Sequence, residues 1–131
     1  MNHSTPEQPA DVVARLRATF RTGRTKPVEW RTGQLRRLRA MLTENGADLA
    51  AALHADLGKS STEAYRTEID FTIREIDHTL EHLDEWLRPE SAPVPAHLGG
   101  DATAWTQYDP LGVVLVIAPW NYPAQLLVAP M

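Results

Sequence analysis

Val113-Val114-Leu115-Val116-Ile117-Ala118-Pro119-Trp120-Asn121-Tyr122-Pro123 is the stretch whose reading decides the fold. Residues 113 to 118 are all apolar and mostly β-branched, with no polar alternation, the pattern of a strand buried on both faces. Residues 119 to 123 read as a sharp turn, since proline donates no backbone hydrogen bond and ends a ladder. Residues 123 to 131 look like the opening of a helix. A strand buried on both faces needs neighbours at both edges and helices above and below. A parallel neighbour requires a crossover of a dozen or more residues. The 131 residues contain only the first part of such a crossover, so the sequence reads as a truncated α/β unit.

Upstream of that stretch the pattern is helical. Thr5 and Gln8 have the spacing of a capping box, Val12, Val13, Leu16 and Phe20 follow at helical intervals, and Gly23 is a natural stop. Pro27 suits the first turn of a second helix, in which Val28, Leu35, Leu38 and Leu42 share a face. Asn45-Gly46 predicts a break, after which Leu49, Leu53 and Leu57 continue the face until Gly58. Ser60 and Glu63 form another capping box. Tyr65, Ile69, Ile73, Ile76, Leu80, Leu83 and Leu87 then recur in steps of three and four, one unbroken stripe that Pro89 terminates. Residues 91 to 101, rich in Pro and Gly, read as a loop; residues 102 to 108 alternate loosely, as a half-buried strand does; residues 109 to 112 read as a turn.

Composition narrows the function. Apolar residues make up 43% of the chain, enough for a core, and the net charge of −4 argues against general nucleic-acid binding. Charge is segregated: arginines crowd the first third, whereas Asp and Glu dominate residues 63 to 90. This predicts solvated helix faces that attract one another, with a phosphate-binding patch as the alternative. With no cysteine in the chain, disulfides, thiolate metal sites and a thiol nucleophile are excluded from it. The polar first residues lack the apolar core of a signal peptide, and prolines interrupt the apolar tail well short of a membrane span, so a soluble, cytoplasmic protein is expected.

Ligands of open α/β sheets bind beyond the carboxyl ends of the strands, which is where Trp120, Asn121 and Tyr122 fall. An Asn amide is a neutral donor suited to a developing oxyanion, and a Trp ring supplies an apolar wall. On spacing alone the plainer reading stands beside this one: Asn121 caps the next helix and Trp120 packs. His78-Thr79-Leu80-Glu81-His82 matches the H-x-x-E-H zinc-peptidase pattern, yet no third ligand accompanies it and the imidazoles lie beside the apolar stripe, so two surface histidines are expected and no metal site. A helical interaction module packed around Leu53, Ile69, Ile76 and Leu83, without chemistry, is the other alternative, and it leaves the strand-turn-helix ending unexplained. Trp30, Trp86 and Trp105 are expected to be packing residues, and His3, His54 and His97 to be solvated or satisfied locally.

Residues 113 to 123, preceded by Pro110-Leu111-Gly112, resemble the first cofactor-domain strand and oxyanion turn of the aldehyde dehydrogenase superfamily. Residues 35 to 42, Ala52-Leu53-His54-Ala55-Asp56-Leu57-Gly58-Lys59, Glu63-Ala64-Tyr65, Glu68-Ile69 and Glu75-Ile76-Asp77 resemble its class 3 branch. The resemblance implies an α/β fold in three parts: residues 1–101 as helices of a Rossmann-like cofactor domain, 102–110 as a bridging strand for dimerisation, and 111–131 as the first cofactor-domain strand, oxyanion turn and incomplete helix. It implies an NAD or NADP cofactor lined by Ile117, Ala118, Pro119 and Trp120, an aldehyde substrate near Tyr122, oxyanion stabilisation by Asn121, and a homodimer when full length. In that family a cysteine thiolate attacks the aldehyde to form a thiohemiacetal, and a glutamate activates the water that releases the acid. The family's cofactor lysine, glycine turn, glutamate and cysteine would lie later than Met131, so the chain alone is expected to be inactive.

Overall fold

In the computed structural model, which describes residues 8–98 and 100–131, helices form a wall against which the carboxyl-terminal segment folds back. Helix α1 (Pro9–Arg21) starts with Pro9 in its first turn and Gln8 at its N-cap, so the capping role expected of Thr5 lies outside the described residues. Helix α2 (Val28–Glu44) follows Pro27, breaks at Asn45 as the Asn-Gly pair predicts, and gives way to α3 (Gly46–Leu57). Gly58 stops α3 in the left-handed region at φ 69°, where a side chain would be strained.

Ser60 caps the next helix as expected, its Oγ accepting the Glu63 N–H at 3.1 Å. Helix α4 (Ser61–Ala64) runs through a π-helical turn (Tyr65–Ile69) into α5 (Asp70–Trp86). The turn is closed by the Asp70 N–H donating to the Tyr65 carbonyl, five residues back. The apolar stripe is buried at its centre: Ile69 and Ile76 are enclosed, while Tyr65, Ile73, Leu80, Leu83 and Leu87 are half-buried. Ala50, Leu53, Ala64 and Ile69 make the core, with Leu49, Tyr65 and Ile73 packed on it. The segregated charges meet as expected between α2 and α5, where Asp77 accepts two hydrogen bonds from the Arg39 guanidinium, at 2.6 and 3.2 Å.

Several expectations are corrected. The segment 91–101 is not wholly a loop: β1 (Glu90–Ala92) pairs antiparallel with β2 (Ala104–Thr106), Ser91 opposite Trp105. The strand expected over 102–108 is therefore short, and it is more exposed than expected: Ala104 is half-buried, but Trp105 is 60% exposed. Trp86, likewise expected to pack, is 46% exposed and lies against His82. The largest departure concerns residues 113–118, which join no sheet among the described residues. Leu115 is 84% and Ile117 83% exposed. A strand cannot satisfy its backbone alone, and no described segment offers it an edge. Consistent with this, the chain exposes 10344 Å², against about 6,900 Å² for a compact monomer of its mass.

The apolar segment is nonetheless positioned at both ends. Gly112, at φ 96°, lies against the Phe20 ring of α1, which a Cβ would approach to 3.3 Å. After the turn, α6 (Pro123–Val128) begins where the sequence predicts a helix and packs against the π turn and α5. No helix among the described residues is long and apolar enough to cross a membrane.

Candidate active-site turn

The turn carrying Trp120, Asn121 and Tyr122 is built from its carboxyl-terminal side. Tyr122 is the N-cap residue of α6, and its carbonyl accepts the first helical bond, from Leu126 N–H at 2.9 Å. No side chain of the turn caps this helix. Glu68, from the π turn, does so instead: its Oε2 accepts the N–H of Ala124 at 2.8 Å and of Gln125 at 3.3 Å. Both are donors that a helix start leaves without an internal partner. Spacing alone left Asn121 between a helix cap and a free donor; the cap is Glu68, and Asn121 forms no hydrogen bond with any described residue.

The other oxygen of Glu68 is taken as well. Lys59 Nζ donates to Oε1 at 2.5 Å, with Lys59 7% and Glu68 0% exposed. Burying one such charge unpaired is prohibitive; here the carboxylate receives three hydrogen bonds, one of them from an ammonium. The ammonium also lies 4.0 Å from the centroid of the Tyr122 ring, a cation–π contact that fixes the residue after Asn121. Lys59 itself is delivered by local sequence: the left-handed Gly58 turns the chain out of α3, and His54 Nδ1 lies 2.9 Å from the Lys59 carbonyl. This leaves His54 satisfied locally, as the sequence suggested. Thr72 Oγ donates to the Glu68 carbonyl at 2.6 Å and steadies the π turn from the following helical turn.

The residues singled out from sequence are brought together as one continuous strip. Ile117 and Trp120 are 83% and 85% exposed, Pro119 and Asn121 are exposed, and Ala118 and Tyr122 are half-buried. Lys59 and Glu68 carry no role in the sequence reading. Both stand in stretches that carry the class 3 resemblance, but neither spacing nor composition links them to a helix start 56 residues away from Glu68.

The rival metal reading gains no ligand. The His78 and His82 rings lie tilted at 4.2 Å between centroids, and His82 Nδ1 lies 2.9 Å from the His78 carbonyl. Trp86 stacks on His82 at 5.7 Å, and among the described residues no third metal ligand joins them. Of the residues proposed as the centre of a chemistry-free helical bundle, Leu53, Ile69 and Ile76 are buried and Leu83 is half-buried, so these helices do share a core beside the turn.

The sequence profile described as "Aldehyde dehydrogenase family" matches residues 1–131. An aldehyde dehydrogenase of family 3, comG, from Dictyostelium discoideum is 37% identical over 124 residues, which are 94% of this chain and 26% of that protein. The dimeric NADP-preferring aldehyde dehydrogenase of Canis lupus familiaris is 39% identical over 122 residues, 93% of this chain and 27% of its own. Among solved structures, the substrate-bound state of AldH from Staphylococcus aureus superposes with a TM-score of 0.88 at 32% identity, over 94% of this chain and 27% of that one. The chain thus spans about a quarter of the length of the proteins it matches. With an α/β fold whose helical wall and hairpin follow the amino-terminal part of such an enzyme, the chain belongs to the aldehyde dehydrogenase family, in its class 3 branch.

Proposed function

We propose that the chain forms the amino-terminal part of the cofactor domain of an NAD(P)+-dependent aldehyde dehydrogenase that oxidises aldehydes to carboxylic acids, and that Asn121 is its side-chain oxyanion donor. One observation carries this: the Asn121 amide stands unpartnered at the end of the apolar segment, because Glu68 has taken over the capping of α6. Its NH2 is free to donate to the oxygen of a carbonyl under attack. Such a donor is worth about 3 kcal/mol when it is placed for the tetrahedral state rather than the ground state.

Ile117, Ala118, Pro119 and Trp120 form the wall for the nicotinamide. The fit rests on the open apolar faces of Ile117 and Trp120, with the small Ala118 between them, a surface suited to a flat ring. NAD(P)+, when bound, accepts the hydride that leaves the oxidised carbon. Tyr122 lies beside the substrate aldehyde, and Lys59 against its ring limits its rotation. This chain has no cysteine, so the thiolate nucleophile comes from sequence beyond these residues, and the family resemblance puts the glutamate base there too. Within the domain we assign 1–101 as the mainly helical part, which also carries β1 at its end, 102–110 as the bridging strand and 111–131 as the first strand, turn and helix. Each strand of the β1–β2 hairpin is paired on one side only, which supports pairing with further strands, from the same enzyme or its twin in a homodimer.

The test is a dehydrogenase assay with NAD+ and NADP+ against a panel of aldehydes. The full-length protein carrying this chain is expected to reduce cofactor, and the chain of residues 1–131 is expected not to. Cofactor reduction by residues 1–131 alone contradicts the division of the machinery, and none by the full-length protein contradicts the function.

A further inference from the structure

We propose that the buried Lys59–Glu68 pair is a positioning device for Asn121, setting through the α6 backbone and the Tyr122 ring where the donor stands. The inference rests on the reading of Asn121 given above, and makes the two residues one device that sets where that donor stands. Its basis is a mismatch between what the turn needs and what the turn has. An oxyanion donor must sit at 2.7–3.1 Å from an oxygen that exists only in the tetrahedral state. Displacement of about 1 Å costs on the order of 100-fold in rate. Yet residues 107 to 121 belong to no helix or strand among the described residues, and the Asn121 side chain forms no hydrogen bond with them. Apart from the first helical bond of α6, the polar anchors near Asn121 lead to this pair: Tyr122 under the Lys59 ammonium at 4.0 Å, and Ala124 and Gln125 on Glu68 Oε2 at 2.8 and 3.3 Å.

The pair is also poorly explained as a source of stability. A buried ion pair seldom stabilises a fold relative to apolar residues of the same size. An apolar pair would fill this space, but it would leave the Ala124 and Gln125 N–H groups without an acceptor and the Tyr122 ring without its cation. What the charges add is direction: the ammonium holds one carboxylate oxygen, so the other can point only at the start of α6. The π turn sets the pitch of Glu68, and Thr72, donating to the Glu68 carbonyl at 2.6 Å, keeps it there.

Two neutral variants of the full-length enzyme separate positioning from stability. Lys59→Met with Glu68→Gln removes both charges but keeps a side-chain oxygen facing α6. Lys59→Met with Glu68→Met removes the charges and that oxygen. Neither leaves a buried charge unpaired. The Gln variant, which keeps the acceptor but loses the cation that aims it and holds the Tyr122 ring, is expected to lose about three- to tenfold in kcat, and the Met variant roughly 30- to 100-fold, while KM for NAD(P)+ in both stays within about twofold. Glu68→Asp alone, which withdraws the carboxylate while keeping the charge, is expected to lower kcat by an intermediate factor and to speed hydrogen exchange at the Ala124 and Gln125 amides. Equal kcat in the Met and Gln variants, or unaltered exchange in Glu68→Asp, overturns the proposal. Combined with Asn121→Ala, the Met variant should lose nothing further. If Asn121→Ala itself leaves kcat intact while the Met and Gln variants differ, the oxyanion reading fails and the positioning of the turn does not.

Discussion

Glu68 Oε2 accepts the backbone N–H of Ala124 at 2.8 Å, joining a π-helical turn to the start of a helix 56 residues later. That bond determines the state of Asn121: a helix start capped from outside has no use for the amide that precedes it. Asn121 is thereby left available as a donor, and the burial of Glu68 makes its own partner, Lys59, indispensable.

Lys59→Met alone should therefore be among the most damaging single substitutions in the chain. It leaves a fully buried carboxylate without its cation, a loss of about 3–5 kcal/mol. Urea unfolding measures it. Replacing both partners by apolar residues is expected to recover most of the loss, and a Lys59→Met protein as stable as the parent would mean that the pair is not buried as described.

The Arg39–Asp77 bridge behaves differently. The hydrogen bond from Arg39 holds Asp77 below the usual carboxylate range, opposed by partial burial and assisted by the guanidinium charge. A carboxylate lowered in the folded state contributes stability above its unfolded value near pH 4, and that contribution is lost as pH falls through the folded value. Both side chains are nearly half exposed, so the effect is small and salt-sensitive. Asp77→Asn should narrow its stability gap to the parent between about pH 5 and pH 2 and show none at the acid end, as read by thermal unfolding at each pH.

Residues 113–118 make the isolated chain prone to association. Leu115 is 84% exposed on a segment with two unpaired edges. Leu115→Lys should reduce self-association of residues 1–131 in sedimentation velocity, yet destabilise the full-length protein, where the proposed function makes the segment a covered strand. Sharp, dispersed amide signals for 113–118 in the isolated chain would contradict this.

These behaviours also mark what could be read from sequence. Helix limits were legible because each has a local cause: Gly23 and Gly58 stop helices, Asn45 breaks one, and Ser60 caps one. The position of the candidate turn was legible for the same reason, since an apolar run ending at Pro119 is a local signal. Residues 113–118 read as a buried strand because periodicity reports what a segment is suited to, and no described residue offers it an edge. The hairpin partner at Glu90–Ala92 was hidden by its brevity and by the flanking Pro89 and Pro93. The Lys59–Glu68–Ala124 link was beyond reach because it depends on the π turn, whose extra residue alters the direction of Glu68, and on a contact between distant segments.

The central claim is that Asn121 is a catalytic donor, and the steady-state kinetics of Asn121→Ala in the full-length protein test it most directly. The account predicts a kcat for aldehyde oxidation lower by about 10²- to 10³-fold, with KM for NAD(P)+ and the unfolding midpoint unchanged, because the amide supports neither the helix nor the core. A kcat equal to that of the parent protein would contradict it.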